Sequence, residues 1–207
     1  GARASISGPS LNVVPAGTLV HWQLPEEAGR LFGGTTSVDD SAYVINRFAP
    51  GTKAGVYAAQ AGRLVDGEIV IDAEWELVVL PGEPVKIATY RPESVPEGVA
   101  PGETIDGREL ISAGFDVHGN RVNTEQVAAL PDSLIRWQWS GANKFREPTD
   151  HTGWAITVPD YIAEGYPERC VPLSDGGQYC DYPLALDLWI VGTAKDAPVR
   201  FTGSRDH

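Results

Sequence analysis

Glu68-Ile69-Val70-Ile71-Asp72-Ala73-Glu74-Trp75-Glu76-Leu77-Val78-Val79-Leu80 carries the clearest period of two in the sequence. Ile69, Ile71, Ala73, Trp75, Leu77 and Val79 fall on one side and Asp72, Glu74 and Glu76 on the other, the alternation of a strand with one face toward a core. A helix would scatter the three carboxylates around its circumference, so a strand is expected. Just upstream, Asp66-Gly67 suits a hairpin turn, and residues 55–60 read as the partner strand.

Moving outward toward the N-terminus, residues 18–24 alternate Val20, Trp22 and Leu24 with Leu19, His21 and Gln23. Residues 35–48 read as two strands about a turn at Asp39-Asp40-Ser41, residues 25–34 as a loop by composition, and residues 5–14 as a short strand broken at Gly8-Pro9. In the other direction, residues 110–117 alternate and run into a turn at His118-Gly119-Asn120, while residues 123–130 fit either a helical turn or a loop. Ile135, Trp137 and Trp139 share a face, residues 154–158 make a short strand, and Leu184, Leu186, Leu188 and Ile190 share a face of a later one. No segment sustains a 3.6-residue period, and 16 Pro and 23 Gly punctuate short runs, so an all-β sandwich is the expected class.

The order of strands repeats. Leu19-Val20-His21-Trp22-Gln23 returns as Leu134-Ile135-Arg136-Trp137-Gln138, 115 positions on, and Pro84-Val85-Lys86-Ile87 returns as Pro198-Val199-Arg200-Phe201, 114 positions on. Asp40-Ser41-Ala42-Tyr43 and the stretch from Asp150 to Trp154 form a looser pair in the same order. Two domains are therefore expected, 1–84 and 85–207, with the stretch from Pro84 to Pro92 as a seam that ends the first copy. Only 17 residues precede Thr18, so the opening of the first domain is expected to be shortened or incomplete. The sequence has no initiator Met or targeting motif and reads as a piece of a longer chain.

Composition narrows the function. Six Trp and a 42% apolar fraction argue against disorder, and no apolar run reaches the ~20 residues of a membrane span. The net charge of −12 is not interrupted by any Lys/Arg cluster, so a phosphate backbone is repelled and nucleic acid is not an expected partner. Cys170 and Cys180 flank a segment with Pro172, Asp175, Gly176 and Gly177 that suits a turn, and they are expected to form a disulfide, which points to export.

No catalytic, metal or cofactor site is expected. His21, His118, His151 and His207 have no ligand or catalytic spacing, and no Gly-x-Ser-x-Gly elbow, phosphate loop or His-Glu-x-x-His is present. Glu74 and Glu76 flank Trp75 but belong to the solvated face of an alternating strand, and Asp39, Asp40 and Asp66 lie in turns without the spaced acids of a calcium loop. Aromatic residues crowd the region around the cysteines. Trp137 and Trp154 are expected in the core, whereas Phe145, Tyr161, Tyr166 and Tyr179 are the candidate partner-binding residues, because aromatic anchors dominate binding patches.

Asp116-Val117-His118-Gly119-Asn120-Arg121-Val122 resembles the Asp-x-x-Gly-Asn-x-Val turn of the bacterial immunoglobulin-like repeats of the intimin and invasin family. Thr149-Asp150-His151-Thr152-Gly153-Trp154-Ala155 is similar to a later turn of those repeats, with Val38-Asp39-Asp40-Ser41-Ala42 as a looser counterpart, and the stretch from Val85 to Pro92 is similar to the link between repeats. The likeness touches most of residues 18–203, and the segment between Cys170 and Cys180 departs from it as an insertion. The resemblance implies two tandem immunoglobulin-like β-sandwiches in an exported bacterial protein, secreted or at the cell surface. It further implies a non-enzymatic adhesion module whose partner is a host receptor or another bacterial surface immunoglobulin-like protein. The alternative, drawn from the loop aromatics, is a carbohydrate-binding module of a secreted protein or enzyme, with a glycan as ligand.

Overall fold

Alternating sequence becomes strand where one face finds an apolar partner, and this chain does so in two separate places. The computed structural model describes residues 3–5, 15–41, 43–141, 143–145, 150–163, 169–174 and 176–206, with side chains for all but 3–5, 143–145, 150, 161–163, 169, 179 and 204–206. The chain divides into two compact units, Gly1–Pro81 and Gly82–His207, and both are all-β, as the sequence predicts.

In the first unit the strands are β1 (Arg3–Ser5), β2 (Leu19–Gln23), β3 (Gly29–Leu31), β4 (Thr35–Ser37), β5 (Ile45–Pro50), β6 (Gly55–Val65) and β7 (Glu68–Val79). They form two antiparallel sheets, ordered β4-β2-β6-β7 and β1-β5-β3. Val20 and Trp22 turn inward from β2 and pack with Val38 and Ala61 against Leu31, Val44 and Trp75. Trp22 meets Trp75 edge to face at 5.8 Å and donates its Nε1–H to Thr36 Oγ1 at 2.6 Å. Residues 25–34, expected as a loop, instead hold a turn of 3-10 helix at Glu26–Ala28 and the strand β3. A single apolar side chain, Leu31, ties β3 to the core, too little for a periodic signal.

The hairpin of β6 and β7 turns on Asp66 and Gly67, both at positive φ (52° and 88°), the twist that suits flanking strands. Its register then slips: Ala61 stands opposite Ala73, but Gly62 stands opposite Ile71, which leaves Asp72 as a bulge. A Cβ on Gly62 would run into the Val70 carbonyl, so the close approach needs glycine. Arg63 closes the bulge with two hydrogen bonds to Asp72, at 2.7 and 2.6 Å, and that pairing holds the carboxyl below its usual range. The continuous apolar face expected from Ile69 to Val79 is accordingly broken. Ala73, Trp75, Leu77 and Val79 are buried or half-buried, but Ile69 and Ile71 are exposed, as are Leu64, Val65 and Val70.

In the second unit the strands are β8 (Lys86–Thr89), β9 (Gly98–Val99), β10 (Thr104–Asp106), β11 (Ile111–Phe115), β12 (Arg121–Val122), β13 (Ile135–Gly141), β14 (Asn143–Phe145), β15 (Asp150–Thr152), β16 (Ala155–Thr157), β17 (Tyr161–Ala163), β18 (Arg169–Pro172), β19 (Gln178–Ile190) and β20 (Val199–Asp206). The largest sheet runs β15-β13-β19-β20-β9, with β18 also on β19, and faces the sheet β12-β11-β8 across a common core. Among the described residues two further pairs, β10-β16 and β14-β17, belong to the unit, and β9 pairs with β20 in parallel. Trp137, Trp139, Leu184, Leu186 and Leu188 supply much of the core from one sheet, Ile87, Ile111 and Val122 from the other. Between β12 and β13 lies α1 (Thr124–Ala128), a short helix capped by the Asn123 side chain.

The seam stretch does not end the first copy. Val85 N–H bonds the Phe115 carbonyl, Tyr90 N–H bonds the Leu110 carbonyl and Ile87 is buried, so β8 pairs with β11 inside the second unit. Its look-alike Val199-Arg200-Phe201 belongs to β20 on β19, a different place in the fold. The two stretches share the chemistry of a half-buried strand rather than a topological position. The turn after β11 is fixed by Asp116, a buried carboxylate that accepts the Asn120 side-chain amide (2.8 Å) and the backbone N–H groups of Gly82 (2.8 Å), Asn120 (2.9 Å) and His118 (2.9 Å). Asn120 first, then these backbone donors, hold its carboxyl far below the ordinary range against the opposing effect of burial.

Candidate functional site

The strand β19 organises the region where the sequence places its candidate residues. Cys180, Tyr182, Leu184, Leu186, Leu188 and Ile190 are all buried, and a slip of one residue would expose all six, so the register is firmly set. One edge of β19 carries β13 along residues 184–190 and β18 along residues 178–181; the other carries β20 along residues 179–186. The end of β19 from Gln178 to Pro183 thus runs past β13 with a short hairpin of its own.

Cys170 of β18 stands directly opposite Cys180 of β19 and is bonded to it, as the sequence predicts. Beyond this staple Leu173 N–H donates to the Gly177 carbonyl at 2.8 Å and Gly176 N–H to the Leu173 carbonyl at 3.2 Å. Val171 and Leu173 are exposed there, at 40% and 37%. Exposed apolar side chains on a cross-linked hairpin offer contact area without the entropy cost of ordering a loop.

The aromatic group separates by burial. Trp139 donates Nε1–H to the Thr157 carbonyl at 3.0 Å and lies 5.4 Å from the Phe201 ring; Trp154 donates to the Leu130 carbonyl at 3.0 Å under the Arg108 guanidinium. Both are core, as is Tyr182. Phe145 and Tyr161 are direct register partners across β14 and β17. Tyr179 lies on β19 between Val171 of β18 and Asp206 of β20, one position from the staple. The side chains of Phe145, Tyr161 and Tyr179, and the whole of Tyr166, lie outside the described residues.

Among the described residues no three His, Cys, Asp or Glu side chains gather to hold a metal, and no helix is long and apolar enough to cross a membrane, which says nothing of β-barrels. His151 stacks on Trp137 at 4.5 Å, and His21 contacts Thr35 Oγ1 at 3.2 Å. Sequence reasoning missed one surface, the exposed apolar end of the β6 and β7 hairpin. Its signal was Gly62, a glycine inside a strand, which commonly marks a bulge.

No family model matches the chain, and none of the curated proteins matches it. Among solved structures the chain is similar to the D0-D1 domain of intimin, with a TM-score of 0.32 and 8% identity, over 99% of this chain and 88% of that one. Likeness at this level assigns neither an activity nor a partner.

Proposed function

We propose that this chain is a non-enzymatic recognition module of an exported bacterial protein, built of two immunoglobulin-like domains, and that a protein partner engages the disulfide-pinned end of β19 and the neighbouring β14 and β17 ribbon. The observation that carries the reading is the bond between directly opposed Cys170 and Cys180, which fixes an exposed hairpin beside Tyr179. The family resemblance of the turn sequences supports a host receptor or a surface immunoglobulin-like protein as the partner class. A disulfide is compatible with an extracellular location.

A glycan is the second reading, favoured by the pairing in sequence register of two aromatic residues, Phe145 on β14 and Tyr161 on β17, since aromatic residues are common in carbohydrate contacts. Capture from host-cell and bacterial surface proteins, run beside a glycan array, separates the two. Protein capture weakened by Tyr161→Ala and by Cys170→Ser with Cys180→Ser, alongside a silent array, supports the first reading. Glycan binding lost on Tyr161→Ala or Tyr166→Ala supports the second, and capture indifferent to all of these variants rejects this surface.

A further inference from the structure

Each unit holds a long hairpin, and among the described residues only in the second unit does a further strand lie on the outer edge of the hairpin's second strand. There β20 takes β9 in parallel register, Thr202 with Gly98 and Gly203 with Val99, and Thr202 N–H reaches the Glu97 carbonyl at 2.8 Å. In the first unit β7 ends the order β4-β2-β6-β7, and no strand follows it among the described residues. Past the bulge at Asp72, residues 73–79 pair regularly with β6 and contain no Pro or bulge, so the charges guarding this edge are the two carboxylates Glu74 and Glu76.

The side chains along this edge are specific in character. Glu74, Glu76 and Val78 point outward and are exposed, while Trp75 and Leu77 point inward yet remain only half-buried. Asp72 has its cation in Arg63, but Glu74 is hydrogen-bonded to neutral Gln60 and Glu76 stands opposite Ala58, so neither acid is offset across the hairpin. A shallow depression is lined by Val56, Tyr57, Ala58, Glu74, Trp75 and Glu76.

We propose that the edge of β7 over residues 73–79 binds a partner protein by strand addition, and that the added segment alternates Lys or Arg with apolar residues. Main-chain hydrogen bonds to the open edge supply affinity, cations beside Glu74 and Glu76 set the register, and the intervening apolar residues cover Trp75 and Leu77. A second copy of the chain is the wrong occupant. Antiparallel self-pairing centred on Glu74 or Trp75 sets acid against acid, a centre at Leu77 leaves the two Glu76 residues diagonal neighbours, and each chain carries a net charge of −12. This surface shares no residue with the β18 and β19 region and is independent of what that region binds.

The test uses the whole chain and two synthetic peptides of equal composition, one alternating Lys and Val, the other with Lys and Val in separate blocks. Affinity is read by fluorescence anisotropy, and amide hydrogen exchange locates the contact. The alternating peptide is expected to bind about tenfold tighter or better than the blocked one and to slow exchange within residues 73–79. Glu74→Lys with Glu76→Lys, on the exposed face, should abolish that preference and transfer it to a peptide alternating Glu and Val. Equal binding of the two Lys peptides overturns the proposal. So does strong protection, in the free protein, of those amides of the stretch that face away from β6, which would mean the edge is already covered, and so does a dimer that Glu74→Lys with Glu76→Lys strengthens or breaks.

Discussion

Asp116 shows how much one residue can hold. Four donors converge on its carboxylate, so truncation would leave the Gly82, His118 and Asn120 N–H groups to find new acceptors in a partly closed turn. Asp116→Ala is expected to lower the thermal midpoint of the second unit. The pH dependence has a definite sign, because the folded-state carboxyl titrates below its unfolded value and the unfolded chain therefore takes up the proton first. Its stabilisation is complete above the ordinary carboxyl range, near pH 4, and drains away as pH falls below it. Asp116→Asn should thus show a shallower acid limb than the parent chain in thermal melts between about pH 5 and pH 2, and an unchanged limb would remove Asp116 from this role. This turn was legible in sequence because its chemistry is local: Asp, Gly and Asn act within five positions of each other. The Gly82 donor, 34 residues away, was not.

At the scale of the element, the hairpin of β6 and β7 shows where alternation misleads. Ile69 and Ile71 continue the pattern of Ala73, Trp75 and Leu77 by number, but the bulge at Asp72 inserts one residue and reverses the faces. A period says that a strand exists, whereas its register depends on a partner that the period does not contain. Gly62→Val should test this, since a side chain there meets Val70 backbone rather than a side-chain tip that can move aside. The expected cost is about 1–3 kcal/mol in chemical denaturation of the first unit, whereas Gly67→Asn, at a turn position where Asn tolerates positive φ, should cost distinctly less. Equal costs would place the constraint in the turn instead of the bulge. The strand β3 was illegible for a related reason, resting on one apolar contact and on pairing with β5.

Across the whole molecule, the class of fold and the main core residues followed from the sequence because apolar alternation and burial are one property seen twice. Val20 and Trp22 in one unit, and Ile135, Trp137 and Trp139 in the other, turned inward as their spacing demanded. The placement of the look-alike stretches around Ile87 and Phe201 did not follow, because strands of like composition fit either end of a sandwich. Of the aromatic group around the cysteines, burial took Trp139, Trp154 and Tyr182 into the core, a separation that depends on packing partners and not on composition. The staple between Cys170 and Cys180 has one more consequence, for a chain under tension. Ten residues of separation lie within a closed covalent loop, and force applied at the ends of the chain passes through the sulfur atoms and leaves that loop slack. When the second unit is pulled open, it should release about 30 Å less contour length oxidised than reduced, ten residues at ~3.5 Å each less the span of the bridge itself. Single-molecule extension before and after a reductant reads that hidden length directly, and an identical contour in both states would mean that no loop was closed.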